Sequence, residues 1–438
     1  MFVAIDDATS DDLREAGGNG DMSGFVVRRL PNVLTQELSL KTAAPWVLLG
    51  ALSPFWLNYA RSLVQILVVA IIGLSPWHRM VSPADLSNDF LVFWPVGHLA
   101  MTANAVRIYD PVWFSAWQSS HLISHVPKYL QFFYPPPTLL LTLITGPFGF
   151  MGGYLIWTIA LTGSGIILLR RAQIPWIIII VGVLSTAGLY NMLAAQLGFL
   201  TGAMFIAALA LLDTASSTSG AIFGTLILKP QAGLLAPIVL LARHRYRPIM
   251  TGALALAGLC AATTLICGWA VWPAFLHDGL KTSHKILVAP FPTLYEQKGA
   301  SVFWMVRSFG GTVASAWIMQ AISALAAIIL CFRAWRRPAT DRTALIALTV
   351  TLTLLVTPYG YTTDMAGFSI MVAWLAWERQ RLDIADVLMW LWPALCPLVA
   401  IEFHMELSPL VLALSAARAW KRLDGIGTTA AACYPATV

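Results

Sequence analysis

Leu226-Ile227-Leu228-Lys229-Pro230-Gln231-Ala232-Gly233 breaks the middle of an apolar stretch that runs from 219 to 242. A bilayer helix does not carry such a sequence without help. Proline removes a backbone donor and frees a carbonyl, and a lysine at the bilayer centre costs roughly 2.5–3.5 kcal/mol even on lenient insertion scales. Both are tolerated only where the backbone is enclosed by protein or lines a wet cavity. The stretch therefore reads as a broken span or re-entrant hairpin. A second stretch, 135–149, has the same character: it follows Tyr134-Pro135-Pro136-Pro137 and turns at Gly146-Pro147.

Working outward, the rest of the chain is membrane material. Its 438 residues are 58% hydrophobic and 11% charged, against about 25% charged in a soluble domain. Apolar runs of spanning length fall near 57–76, 150–169, 174–190, 197–213, 248–272, 311–332, 342–358, 361–377, 386–402 and 406–420. The expected fold is an all-α integral membrane bundle of about 10–12 transmembrane helices, two of them the broken or re-entrant hairpins. If both broken stretches return to their own side, Arg28/Arg29, Arg170/Arg171, Arg243 to Arg247, Arg333 to Arg342, Arg379/Arg381 and Arg418 to Arg422 all fall in the cytoplasm, as the positive-inside rule asks. The expected organisation is then a cytoplasmic tail over 1–45, partly disordered and with no cleavable signal, a polytopic domain over 46–422, and a cytoplasmic tail over 423–438. Both termini are cytoplasmic, in the plasma (inner) membrane.

Two long outer loops follow, 75–134 and 272–310. In the first, Phe90, Phe93, Trp94, Leu99 and Met101, then Trp113, Phe114 and Trp117 after the turn Tyr109-Asp110-Pro111, read as amphipathic helices in the membrane surface. Such a platform suits an enzyme acting on a lipid-borne substrate.

The charge pattern excludes nucleic acid as a partner, because no basic stripe interleaves with exposed aromatics. No Asp-x-Asp, Walker, GxGxxG or HExxH pattern is present, and Cys260, Cys267, Cys331, Cys396 and Cys433 are scattered. Neither a metal nor a cofactor is expected. Asp89, in Ser87-Asn88-Asp89-Phe90, has two readings: a carboxylate that accepts a proton from an attacking hydroxyl, or a helix N-terminal cap. Lys229 either meets an anion, phosphate first, or snorkels to an interface. Tyr134 with its prolines is a stiff cavity entrance or a plain helix start. Arg307, among Val302, Phe303, Trp304, Met305 and Phe309, suits a phosphate oxygen or an internal ion pair. The other charges of the second loop, Lys298 among them, read as a solvated face.

The ordered set Asp89-Phe90, Tyr109-Asp110-Pro111, Tyr134-Pro135-Pro136, Gln196, Leu228-Lys229-Pro230-Gln231, Ser301-Val302-Phe303, Arg307-Ser308-Phe309-Gly310-Gly311, Thr357-Pro358-Tyr359 and Asp364 resembles glycosyltransferase family 87. That family includes polyprenol-phosphate-mannose-dependent mannosyltransferases that elongate phosphatidylinositol mannosides. The resemblance implies the multi-spanning GT-C architecture. It also implies transfer of a hexose, mannose first, from a polyprenyl-phosphate donor to a lipid or glycan hydroxyl on the non-cytoplasmic side, with inversion. Asp89 matches the family's first-loop aspartate and is the expected general base. Arg307 and Lys229 are expected at the donor phosphate, and Tyr134, Gln196, Gln231, Tyr359 and Asp364 at the sugar or acceptor. Where many relatives carry Gly-Gln this chain has Ala195-Gln196, and the typical Asp-Tyr-Asp becomes Thr362-Thr363-Asp364. A polytopic transporter, or a lipid-linked-glycan flippase or ligase, is the competing expectation, although no inverted repeat accompanies the broken helices.

Overall fold

A computed structural model describes residues 89–122, 130–293, 296–337 and 341–432, with side chains in the last helix to Leu423. The run at 57–76, the tail at 1–45 and the first part of the first outer loop lie outside the described residues. Within them the protein is an all-α membrane bundle with no strand; two backbones meet in a single β-bridge, Gly299 with Tyr361.

Each apolar run from 150 onward is helical. Phe150–Arg171, Tyr246–Cys267, Val313–Trp335 and Ile384–Phe403 are each long and apolar enough to cross a membrane. Trp176–Val183 and Thr186–Leu193 together make a fifth, bent by 57° where the Ser185 hydroxyl accepts from the Gly188 N–H and starts a new helix. Gly198–Leu211, Arg342–Val356 and Ala366–Arg379 span only about 21–23 Å at 1.5 Å per residue, short of a hydrocarbon core of roughly 30 Å. These three are largely buried inside the bundle, whereas Leu254, Leu265, Ile318 and Leu325 on the long outer helices are exposed as lipid-facing residues.

Glycine contacts fix the course of the Lys229 stretch. A Cβ on Gly220 would fall 2.3 Å from the Pro248 carbonyl oxygen, and one on Gly224 would fall 2.2 Å from that of Gly252. Ser216–Thr225 therefore runs parallel to Tyr246–Cys267, so the chain between them must turn back. Ion pairs agree: Asp213, before the stretch, binds Arg245, after it, at 2.5 Å. The stretch enters and leaves at one end, with Lys229 at its tip between two short 3-10 turns. The 135–149 stretch stays equally local. It contains one short helix, Pro137–Thr142, and meets the first hairpin where Thr138 Oγ1 donates to the Leu228 carbonyl at 2.8 Å.

The charges gather at the other end of the bundle. Asp213 also holds Arg342 at 2.6 Å; Asp386 holds Arg379 at 2.5 Å and Arg418 at 2.9 Å; Arg422 joins Asp341 and Glu378. Arg342–Val356 starts in this network and ends beside Tyr359, about 22 Å away along the helix.

In the first long loop, Pro111–His121 is amphipathic, burying Phe114 and Gln118 one turn apart. Phe90–Leu99 differs from its expectation of lying in the membrane surface. It is buried on almost every side, with Phe90 edge-on to Tyr154 and Phe93 stacked on Trp157. The aromatic spacing that reads as a surface stripe belongs to a core helix.

Candidate active site

The tip of the Lys229 hairpin, the segment of Phe133, Tyr134 and Pro135, Asp89 before Phe90–Leu99, and residues near Lys298 and near Tyr359 to Thr363 enclose a cavity of about 300 Å³. Asp89, Tyr134, Gln196, Lys229, Gln231 and Tyr359 all line it. Residues separated by up to 270 positions in the chain are thus brought to one space.

Asp89 immediately precedes Phe90–Leu99, but its carboxylate makes no cap hydrogen bond to that helix. The side chain faces the cavity instead. Burial pushes its carboxyl above the ordinary carboxylate range, while Lys298, a hydrogen bond from Gln196, and Lys229 pull it back. A carboxylate held this way is a better proton acceptor than a solvated one.

Lys229 is buried and forms an ion pair with Asp364. The partner comes from the turn after Arg342–Val356, far away in sequence. Asp364 is itself placed by its short 3-10 turn, where Oδ2 accepts from the Tyr361 N–H at 3.1 Å. The backbone of that turn is pinned by Asn191, whose Nδ2 donates to the Thr363 carbonyl at 2.8 Å and whose Oδ1 accepts from the Phe199 N–H at 3.0 Å. Gly198 fits beneath it, since a Cβ there would stand 2.0 Å from the same carbonyl oxygen.

Arg307 is not among the lining residues. Its guanidinium donates to the Gly311 carbonyl at 2.9 Å and the Ala289 carbonyl at 3.5 Å, tying the second long loop together. The cation from that loop that does line the cavity is Lys298, exposed, with Nζ 5.4 Å from the Tyr190 ring centre. The backbone sets its position: Gly299 bridges Tyr361, and the Ala300 N–H donates to the Gly360 carbonyl at 2.8 Å. Sequence reasoning assigned Lys298 to a solvated face and passed over Tyr190, Tyr361 and Asn191. A lysine in a mixed-charge loop carries no local sign of what it faces, but Asn191 in a wholly apolar run was a readable signal.

The lining joins charged and polar residues, Asp89, Lys229, Lys298, Gln196 and Gln231, to apolar ones, Phe133, Phe275 and Leu280. That is the form of a site for a molecule with a polar head and an apolar tail. In comparisons with known proteins, the model of glycosyltransferase family 87 matches residues 132–358, more than half of the chain. No curated protein and no solved structure matches. The matched region holds Tyr134, Gln196, Lys229 and Lys298, with Asp89 before it and Tyr359 and Asp364 just after. The chain belongs to glycosyltransferase family 87, and is accordingly a membrane glycosyltransferase rather than a transporter.

Proposed function

We propose that this protein transfers a hexose, mannose first among candidates, from a polyprenyl-phosphate donor to a hydroxyl of a lipid or glycan acceptor, inverting the anomeric centre. The observation that carries this reading is the shared cavity of Asp89, Lys298 and Lys229. Asp89 takes the proton of the acceptor hydroxyl as its oxygen bonds to the anomeric carbon. The bond from that carbon to the phosphate oxygen breaks, and the electron pair leaves with the polyprenyl phosphate. Lys298 and Lys229 stabilise the charge on the departing phosphate. Gln231 and Tyr359 border the space left for the sugar. The first units of the donor's chain would lie against Phe275 and Leu280, apolar residues of the lining.

The basic clusters at the far end of the bundle support a cytoplasmic placement for that end, and hence a cavity that opens on the non-cytoplasmic side of the plasma membrane. Asp89→Asn tests the reading. Proteoliposomes are supplied with a short-chain polyprenyl-phosphate mannose and total membrane lipid, and sugar transfer and release of polyprenyl phosphate are followed. The expected result is loss of transfer with an unchanged melting profile. Transfer at a near-normal rate by the variant would remove Asp89 as the base.

A further inference from the structure

Two lysines line the cavity, and they are held differently. Lys229 is buried against the Asp364 carboxylate. Lys298 makes no ion pair among the described residues; its Nζ stands 5.4 Å from the centre of the Tyr190 ring instead. That separation lies inside the reach of about 6 Å over which a ring face attracts a cation. A carboxylate partner cancels a lysine's charge, whereas an aromatic face restrains the ammonium and leaves its charge available to an anion.

The tyrosine side of this contact is stiff. Tyr190 sits in Thr186–Leu193, where its carbonyl accepts from the Ala194 N–H at 2.8 Å, and its neighbour Asn191 is tied to Thr363 and Phe199. The lysine side is fixed only as far as its backbone. Buried Glu296 accepts from the Thr293 N–H at 2.7 Å through Oε2, and its carbonyl accepts from the Gly299 N–H at 2.9 Å. A Cβ on Gly299 would stand 2.4 Å from the Trp304 ring, so the chain passes here only as glycine. Beyond that frame the Lys298 side chain is exposed on a flexible four-carbon stem. The Tyr190 ring is what restrains its ammonium end.

We infer that Tyr190 is a positioning residue: its ring face holds the Lys298 ammonium at the cavity, where that ammonium meets the donor phosphate. The role belongs to the ring and not to the phenol hydroxyl, and it makes Tyr190 a determinant of donor binding that need not touch the donor. The inference rests on the reading of Lys298 as a ligand of that phosphate.

The test is a double-mutant cycle on the KM for polyprenyl-phosphate mannose in proteoliposomes, with Tyr190→Leu, Tyr190→Phe, Lys298→Ala and the combination of Lys298→Ala with Tyr190→Leu. Tyr190→Leu should raise that KM about two- to fivefold, the worth of one exposed cation–ring contact. Tyr190→Phe, which keeps the ring, should match the wild type. In the Lys298→Ala background Tyr190→Leu should add nothing further, because the cation it positions is gone. A rise of equal size in Tyr190→Phe overturns the inference, as does an effect of Tyr190→Leu that persists without Lys298. Should Tyr190→Leu fail to fold, phenylalanine and trifluorophenylalanine at position 190 decide. Fluorine withdraws electron density from the ring face at nearly constant shape, so donor KM should rise for the fluorinated ring, and equal values refute the contact. Lys298→Ala separates the two failures. If it leaves donor KM unchanged, the phosphate reading falls and takes the inference with it; if it raises donor KM while Tyr190→Leu does not, the phosphate reading stands and the positioning role falls.

Discussion

Removing the charge of Asp364 should damage this protein more than any other single change of one polar atom. Lys229 is 3% exposed, and its ion pair with Asp364 is enclosed on both sides. Asp364→Asn keeps the volume and an acceptor for the Tyr361 N–H but withdraws the negative charge. A buried ammonium left without its partner costs about 3–5 kcal/mol, most of it the unpaid desolvation of the surviving charge. Because Lys229 also touches the cavity, some of that cost is relieved by cavity water, which points to the lower half of the range. The decisive comparison is Lys229→Met combined with Asp364→Asn. That double variant removes both charges and keeps the lysine's volume, and it should regain at least half of the lost stability. Melting of purified protein in detergent, followed by tryptophan fluorescence, measures all three chains. If Asp364→Asn melts with the wild type, or the double variant melts no higher than the single one, Lys229 is solvated and the hairpin tip is not held by this pair.

Two further outcomes follow from the same geometry. Lys298→Ala should raise the KM for polyprenyl-phosphate mannose about tenfold, while Arg307→Ala, which unties the carbonyls of Gly311 and Ala289, should lower stability and leave that KM nearly unchanged; the reverse pattern in steady-state kinetics would return the phosphate to Arg307. Burial pushes the Glu296 carboxyl up to about 7 against the pull of hydrogen bonds from the Thr293 N–H and its own N–H and of Arg307. The folded protein therefore keeps this proton where the unfolded chain has released it, so stability should fall as pH rises from about 5 to 8. Glu296→Gln should abolish that fall, and melts across this range that show an equal slope in both proteins would refute it.

Much of this protein is readable from residue types alone. Length, an 11% charged content and runs of spanning size specify an all-α membrane bundle, because a continuous apolar run of about twenty residues satisfies its own backbone hydrogen bonds in lipid as a helix. Lys229-Pro230 inside an apolar stretch marks the hairpin, since a helix cannot pass through that pair unbroken. The rest required the packed chain. Sequence could not say that Lys229 is partnered, because Asp364 arrives from another turn. It could not separate a surface stripe from a core helix at Phe90–Leu99, because both bury aromatics at the same spacing. It also ranked Arg307 above Lys298, since an arginine among aromatics is conspicuous and a lysine in a polar loop is not. Which cation faces the cavity is decided by a backbone contact between Gly299 and Tyr361. Local composition determines which segments can enter a bilayer, since the transfer of a segment from water to lipid depends chiefly on its own residues. Which side chains share the cavity depends on contacts between distant segments, and only the tertiary fold sets those.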